Sequence, residues 1–388
     1  MGVPKISILA YDLASNALGR ALLLGELLHG LADVKIVGPS RSGKVWQPAQ
    51  TSRIPIEIGP AIHSRGDLHT ASTWLRQVDL GDTVLVSKAM PTSLGLALDT
   101  NLGARKLALD IDDWEYGLCQ GLARRPLAHA FAQVVGPMMQ HRPNHSSRIQ
   151  KLEARVDEIP NRLVSNTFLQ DRFGGHLLYH VRDHQVLNPD SVDSASVRNK
   201  LALGDRVWVG FIGTFRPHKG IDDLISAVYR AAGSPGLLLM GIDEQDPAIT
   251  GLIASARELL GPNRVRVLPP FPLTQLPEHV HAADIIAIPS KSGPASDGQI
   301  PAKLFDAMAL ARPIVATAVN DIPSILRDCG HVVAPDNANE LADAIGTYAC
   351  DRERRAHCGA AARQRLIESY SFDAGRRVMA DFLTEIAT

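Results

Sequence analysis

The sequence carries almost no net charge, few cysteines and no long apolar run, and each shortage closes off a class of function. Its 40 Lys and Arg against 41 Asp and Glu leave a formal net charge of −1, whereas general nucleic-acid binding needs a clear basic excess. Any phosphate recognition must be local. The four cysteines, Cys119, Cys329, Cys350 and Cys358, include no CxxC pair, so neither a zinc site nor a disulfide framework is suggested, and a reducing, cytoplasmic setting fits. The opening "MGVPKISILAYD" holds one apolar run, too short for a signal segment or a membrane span. Ile6 stands where the myristoylation pattern requires Ser or Thr. Neither half shows G-x-G-x-x-G after a strand, which argues against a dinucleotide oxidoreductase. No fixed-period repeat or low-complexity tract is present.

What is present is an alternation. Hydrophobic residues make up 45% of 388 residues, enough for two globular domains. The apolar runs "KISILA", "DVKIVG", "DTVLVS", "KLALDI" and "NRLVS" recur in the first half with helical stretches between them. "VWVGFIG", "GLLLMG", "RVRVLP", "DIIAIP", "PIVAT" and "HVVAP" repeat the pattern in the second. Such alternation with short connections predicts parallel sheets covered by helices, in two Rossmann-like domains. The polar stretch Leu187 to Asp205 marks the seam, giving a first domain over residues 1–190 and a second over 191–371. The segment from Arg124 to Glu158 is less regular. Its histidines, among them His141 and His145, read as solvated surface, because no Cys or carboxylate completes a ligand set at suitable spacing.

Two stretches carry chemistry. In "VWVGFIGTFRPHKGIDDLISAVYR" a buried-type strand ends at Gly213, two cations follow at Arg216 and Lys219, and apolar residues at helical spacing begin at Ile221. In open parallel sheets ligands collect at such turns, so the cations stand where an anion would; solvated loop cations are the other reading. In "PSKSGPASDGQIPAKLFDAMALARPIVAT" a small-residue loop runs into a helix, and Pro301 suits a first helical position. The amides of Gly298, Gln299 and Ile300 would then line an anion site. Lys303 and Asp306 share a helix face, as a phosphate and ribose pair or as a surface ion pair. A third stretch, "LALDIDDWEYG", ends a strand with Asp110, Asp112 and Asp113, which is costly unless the acids are solvated or bound to something.

Taken together, "GTFRPHKGIDDLISA" and "PAKLFDAMALARPIVAT" resemble the phosphate-binding turn and the acidic-residue helix of retaining nucleotide-sugar glycosyltransferases of family 4, the glycogen-synthase-like group with the GT-B fold. "VRVLPPFPLTQLPEHVHAADIIAIPS" is similar to that family's nucleotide-base strand, and the likeness covers most of residues 160–388. The resemblance implies two Rossmann-like domains facing each other across a cleft, with the last helix, about 372–388, rejoining the first. It implies transfer of a sugar from a nucleotide diphosphate sugar, the co-substrate, to an acceptor hydroxyl, with retention, in polysaccharide or glycolipid biosynthesis. A lipid-linked acceptor would add peripheral membrane contact.

The same resemblance assigns roles to particular residues. Arg216 and Lys219 would neutralise the leaving diphosphate and Asp306 would hold the ribose. Gly213, Thr214, Pro270, Phe271, Gly298, Gln299, Ile300 and Lys303 would line the donor, with Asn16 and Gly19 facing it from the first domain. Asp112 would orient the sugar or acceptor from a position where the family often has His. Two departures stand out. The family's first Glu falls at Gly298, with Asp297 beside it as a substitute, and Pro269 and Pro270 occupy the base-binding turn where Gly is usual. They leave open a non-hydrolysing nucleotide-sugar epimerase, or a catalytically silent binding subunit of a polysaccharide assembly. Asp110 and Asp112 form a D-x-D of the kind that holds a metal in the other large glycosyltransferase fold. Because Arg216 and Lys219 already supply positive charge, no metal and no further cofactor is expected.

Overall fold

The computed structural model describes residues 3–103, 105–123 and 142–387; His141 and most of the irregular segment lie outside them. The chain divides into two compact units. The first comprises residues up to His180 together with Asp297–Gln299 and Asp373–Thr388, and the second comprises Val181–Ser296 and Ile300–Phe372.

The first unit holds a seven-stranded sheet: β1 (Lys5–Ala10), β2 (Asp33–Pro39), β3 (Ile56–Gly59), β4 (Thr83–Ser87), β5 (Lys106–Ile111), β6 (Asn161–Val164) and β7 (His176–Leu177), in the order β3-β2-β1-β4-β5-β6-β7. Every pairing is parallel. Strands covered on both faces must be apolar throughout, and β4 is buried at all five positions. The second unit holds β8 (Trp208–Ile212), β9 (Gly236–Met240), β10 (Val265–Leu268), β11 (Ile285–Ile288), β12 (Ile314–Thr317) and β13 (His331–Val333), in the order β10-β9-β8-β11-β12-β13, again all parallel. Each apolar run named above is one of these strands. The short β3 and β7 escape that reading because their side chains are half-exposed and do not form an apolar run.

Both strand orders reverse direction once. In the first unit the chain winds outward from β1 to β3 and then crosses to β4, so the reversal lies between β1 and β4; in the second it lies between β8 and β11. At such a point the loops leaving the two central strands turn opposite ways and open a crevice at their carboxyl ends. The two polar stretches that follow β8 and β11 are therefore brought to the same edge of the second sheet.

The division falls at Val181, ahead of the boundary at 190 read from the sequence, for a local reason. Arg182 forms a parallel bridge with Ser371, its amide donates to Tyr370 O at 2.9 Å, and its guanidinium reaches Asp306. The final helix, Phe372–Ala387, packs Phe382 edge-on against His176, and Lys106 Nζ donates to Ala387 O at 2.9 Å. Among the described residues no helix is long and apolar enough to cross a membrane.

Candidate active site

In the second unit the site is built on the turn that leaves β8. Phe211 and Val209 are fully buried in the core, after which Gly213 adopts φ 114° and frees the chain from the sheet. Arg216 opens a single 3-10 turn, Pro217–Lys219, and Gly220 closes it at φ 64°. A Cβ on Gly220 would lie 1.9 Å from Pro289 O, so no other residue fits between this turn and the end of β11. The helix Ile221–Arg230 then buries Ile221, Leu224, Ile225 and Val228; each such aliphatic side chain contributes about 1.5–3 kcal/mol. That apolar stripe fixes the helix and hence the turn before it.

The cations of the turn differ in what they meet. Arg216 is exposed, and its Nη1 donates to Phe215 O at 2.9 Å. Lys219 Nζ donates to Thr214 O at 3.1 Å. Lys291, just after β11, is neutralised by Asp222 at 2.9 Å and Asp223 at 2.8 Å, and so braces the turn instead of offering charge. Glycines and the short Thr214 leave backbone open beside Arg216 and Lys219, the surroundings a phosphate group needs.

The helix after the β11 loop differs from its expected form. It begins at Lys303, with Ala302 as its preceding residue and Pro301 outside it; the first helical amide bonds run from Leu304 to Pro301 O and from Phe305 to Ala302 O. Gly298 and Gln299 do not line its start. They group with the first unit, where Trp114 N donates to Gly298 O at 3.1 Å and Gln299 Nε2 to Asp113 Oδ1 at 2.7 Å. A Cβ at position 298 would lie 2.2 Å from the Cβ of Trp114, so a glutamate there has no room. The Ile300 side chain is core, 1% exposed, and Asp297 is half-buried.

Lys303 and Asp306 do not form the surface ion pair. Asp306 is buried and accepts from Arg182 Nε at 2.5 Å, while Lys303 Nζ sits 3.6 Å from the centroid of Phe211. The ring face attracts an ammonium by about 2 kcal/mol, less than withdrawing an unpaired charge from water costs. Burial, with Lys219 as a like-charged neighbour, accordingly holds the Lys303 amine well below its ordinary range.

Further along the same edge, Pro269 and Pro270 are exposed and offer no amides. Leu268 O accepts from Gly241 and Ile242 at 3.0 and 3.1 Å. Phe271 stacks on His279, centroids 3.5 Å apart and planes inclined 13°, and its position is set by His279 Nδ1 donating to Gln275 O at 2.8 Å.

In the first unit the acids lie at the carboxyl end of β5, next to β4, which borders the reversal point. Asp110 is fully buried, and Arg20 meets it with Nη2 at 2.7 Å and Nε at 3.0 Å. Asp112, Asp113 and Glu115 surround the ammonium of Lys88 at 2.6, 2.5 and 3.0 Å. Lys88 leaves β4 with φ 75°, a left-handed conformation costly for a side-chain-bearing residue. Burial opposes its charge, but Asp112, then Asp113 and Glu115, hold it far into the charged range. One ammonium cannot balance three carboxylates: burial first, then Asp113 and Asp112 against the pull of Lys88, push the Glu115 carboxyl up to about 7. Oxygens of the three acids lie within 4.8 Å of one another, a spacing a metal could use, and Lys88 already contacts all three.

Arg20 and Lys88 are the partners that sequence reasoning missed. Their signal was an arginine inside the apolar helix "LGRALLLGELL" and a lysine directly after the buried run "TVLVS". Asn16 is exposed. Gly19 lies in the first turn of the helix Leu18–Leu28, where a Cβ would meet only Trp46 at 3.9 Å. His145 caps the helix Ser146–Glu153, its Nδ1 accepting from Ser147 N at 3.3 Å.

Two all-parallel Rossmann-like units of this kind are the GT-B class of architecture, and solved structures bear this out. The crystal structure of Anabaena HepE in complex with UDP-glucose superposes with a TM-score of 0.75 at 17% identity, covering 98% of this chain and 100% of that one. The crystal structure of WaaG, a glycosyltransferase involved in lipopolysaccharide biosynthesis, gives 0.66 at 12%, covering 96% and 99%.

More particularly, residues 206–351 match the family described as Glycosyl transferases group 1. A D-inositol 3-phosphate glycosyltransferase of Mycobacteroides abscessus is 34% identical over 172 residues, 42% of this chain and 36% of that protein. A GDP-mannose-dependent alpha-(1-6)-phosphatidylinositol monomannoside mannosyltransferase of Mycobacterium tuberculosis is 26% identical over 208 residues, 52% and 53%. The aligned part of this chain thus spans between about a third and half the length of these curated relatives.

Proposed function

We propose that this protein is a glycosyltransferase that moves a sugar from a nucleotide diphosphate sugar to an acceptor hydroxyl, with retention of anomeric configuration. The observation that carries the reading is the convergence of Arg216, Lys219 and Lys303 on the carboxyl edge of β8, beside the reversal point of the sheet. As the bond to the sugar breaks, charge gathers on the departing diphosphate, and fixed cations stabilise that state more than the ground state. Asp306, aimed by Arg182, accepts from the ribose hydroxyls. Phe271, backed by His279, presents an apolar face to the base. Asp112, held by Lys88, orients hydroxyls of the sugar or acceptor, and the diphosphate itself takes the acceptor proton.

The relatives' names support a polyol or glycolipid acceptor in glycoconjugate biosynthesis and GDP as the nucleotide, and the UDP-glucose complex of HepE supports UDP as the other candidate. Metal is not required, because the charge it would bring to the diphosphate is supplied by the protein. The test is release of nucleoside diphosphate from UDP- and GDP-sugars with inositol phosphates or glycolipids as acceptors. Arg216→Ala and Lys219→Ala should each lower transfer by about a hundredfold to a thousandfold while leaving the melting temperature within a degree or two. Wild-type rates in either soluble variant would remove the assignment, and turnover of the nucleotide sugar without acceptor would favour an epimerase.

A further inference from the structure

We propose that a recess at the reversal point of the first unit's sheet binds the acceptor, and that it takes a neutral polyol through hydroxyls bonded to Asp12 and Asn144. This rests on the reading that the protein is a glycosyltransferase, and deepens it by naming the residues that meet the acceptor and the part of the acceptor they meet.

The recess is built from loops that leave neighbouring strands. Tyr11 and Asp12 directly follow β1, Arg41 follows β2, Ile62 follows β3 and Thr92 follows β4, and all of them line it together with Asn144. The order β3-β2-β1-β4 puts the crevice between β1 and β4 among these loops. They are also tied to one another. Leu13 N donates to Pro39 O at 2.8 Å, Thr92 Oγ1 to Tyr11 O at 2.9 Å, and Arg41 N to Asp12 Oδ1 at 3.2 Å. Such a floor is set before any ligand arrives, which lowers the entropic cost of binding.

Its polar groups decide what it can hold. Asp12 is 7% exposed, and its Oδ1 accepts from Ala14 N at 3.0 Å as well as from Arg41 N, so the carboxylate is fixed in place. Its Oδ2 meets Arg41 Nη2 at 3.9 Å, close enough for an ion pair but beyond hydrogen-bond range. Among the described residues nothing donates to Asn144 Oδ1, which is buried, and an enclosed amide oxygen without a donor is costly. Both groups are acceptors, so a ligand must bring donors. Charge narrows the choice. Arg41 offsets the carboxylate, which leaves little to attract a cation, and the carboxylate itself repels an anion. Hydroxyls on an uncharged carbon frame remain, and the Tyr11 ring and the buried Ile62 offer apolar surface to its C–H groups.

Saturation-transfer NMR of the full chain, with and without saturating UDP or GDP, reads the binding of myo-inositol, mannose and cyclohexanol. The two polyols should bind, and cyclohexanol, a six-membered ring with one hydroxyl, should bind about tenfold more weakly. Inorganic phosphate should not displace them. Asp12→Asn, whose carbonyl oxygen can still accept from both amides, should lower polyol affinity about tenfold, and Asn144→Leu about threefold or more, while calorimetry finds UDP and GDP bound as tightly as before. Asn144 lies in a turn before the helix Ser146–Glu153, so its variant keeps the test open should Asp12→Asn fail to fold. Wild-type polyol affinity in the variants that fold, displacement by phosphate, or no polyol binding where UDP or GDP does bind overturns the inference and leaves the proposed function intact. Polyol binding that the variants weaken, with neither UDP nor GDP bound, sustains the recess and overturns the proposed function.

Discussion

Glu115 gives the most direct test of the electrostatics. The substitution Glu115→Gln keeps shape and removes the charge from a side chain that is 14% exposed and 3.0 Å from Lys88. The carboxyl is pushed up to about 7 from an ordinary 4.5, so the folded protein holds its proton more tightly than the unfolded chain does. Below about pH 4.5 both states carry the proton, and the group takes nothing from stability. As the pH climbs from there through about 7, folding increasingly requires an unfavourable ionisation, and above that the full loss is in place. At about 1.36 kcal/mol per pH unit the loss amounts to roughly 3 kcal/mol, an upper figure for a clustered acid. Glu115→Gln should thus match the wild type at pH 5 and be more stable at pH 8.5. For a unit of this size the gain is several degrees in melting temperature. Scanning fluorimetry of both proteins at the two pH values reads it, and taking the difference at each pH cancels every other titrating group. A variant less stable at pH 8.5, or an offset equal at both, would mean that Glu115 is an ionised and necessary partner of Lys88.

Other outcomes follow from the site. Asp306→Asn should lower the affinity for the nucleoside diphosphate about tenfold or more, since a charged hydrogen bond contributes roughly 1.5–3 kcal/mol; unchanged affinity would restrict Asp306 to anchoring Arg182. Transfer should persist in excess chelator, with Asp112→Ala impairing turnover more than nucleotide binding. Activity lost to chelator and restored by magnesium or manganese would shift the diphosphate toward the acids around Lys88.

The parallel sheets were legible because a strand covered on both faces has no freedom to be polar. β3 and β7 were not, since a short, half-exposed edge strand is under no such demand. The sequence also placed Arg216 and Lys219 in the turn between β8 and the following helix, because Gly213 ends the buried run and the apolar spacing of a helix begins at Ile221. The anchoring of the acids was not legible. Arg20 and Asp110 are ninety residues apart, and no local pattern announces that one will neutralise the other. The start of the helix at Lys303 was misjudged because Pro301 favours a first helical turn locally. Gly298 meets Trp114 and Gln299 meets Asp113, partners too far away in the sequence for any local pattern to announce.

Gly220 separates two kinds of change that this turn can undergo. With Pro289 O filling the place of a side chain at that glycine, and Lys291 N bonded to His218 O at 2.8 Å, the count of residues from the end of β8 to the helix works as a ruler clamped at both ends. Insertion or deletion within it would break the fit to β11. Exchange of the exposed side chain at Arg216 would not touch that fit. Descendants of this sequence, natural or engineered, are therefore free to retune how strongly the turn attracts an anion, but only by changing letters at constant spelling length.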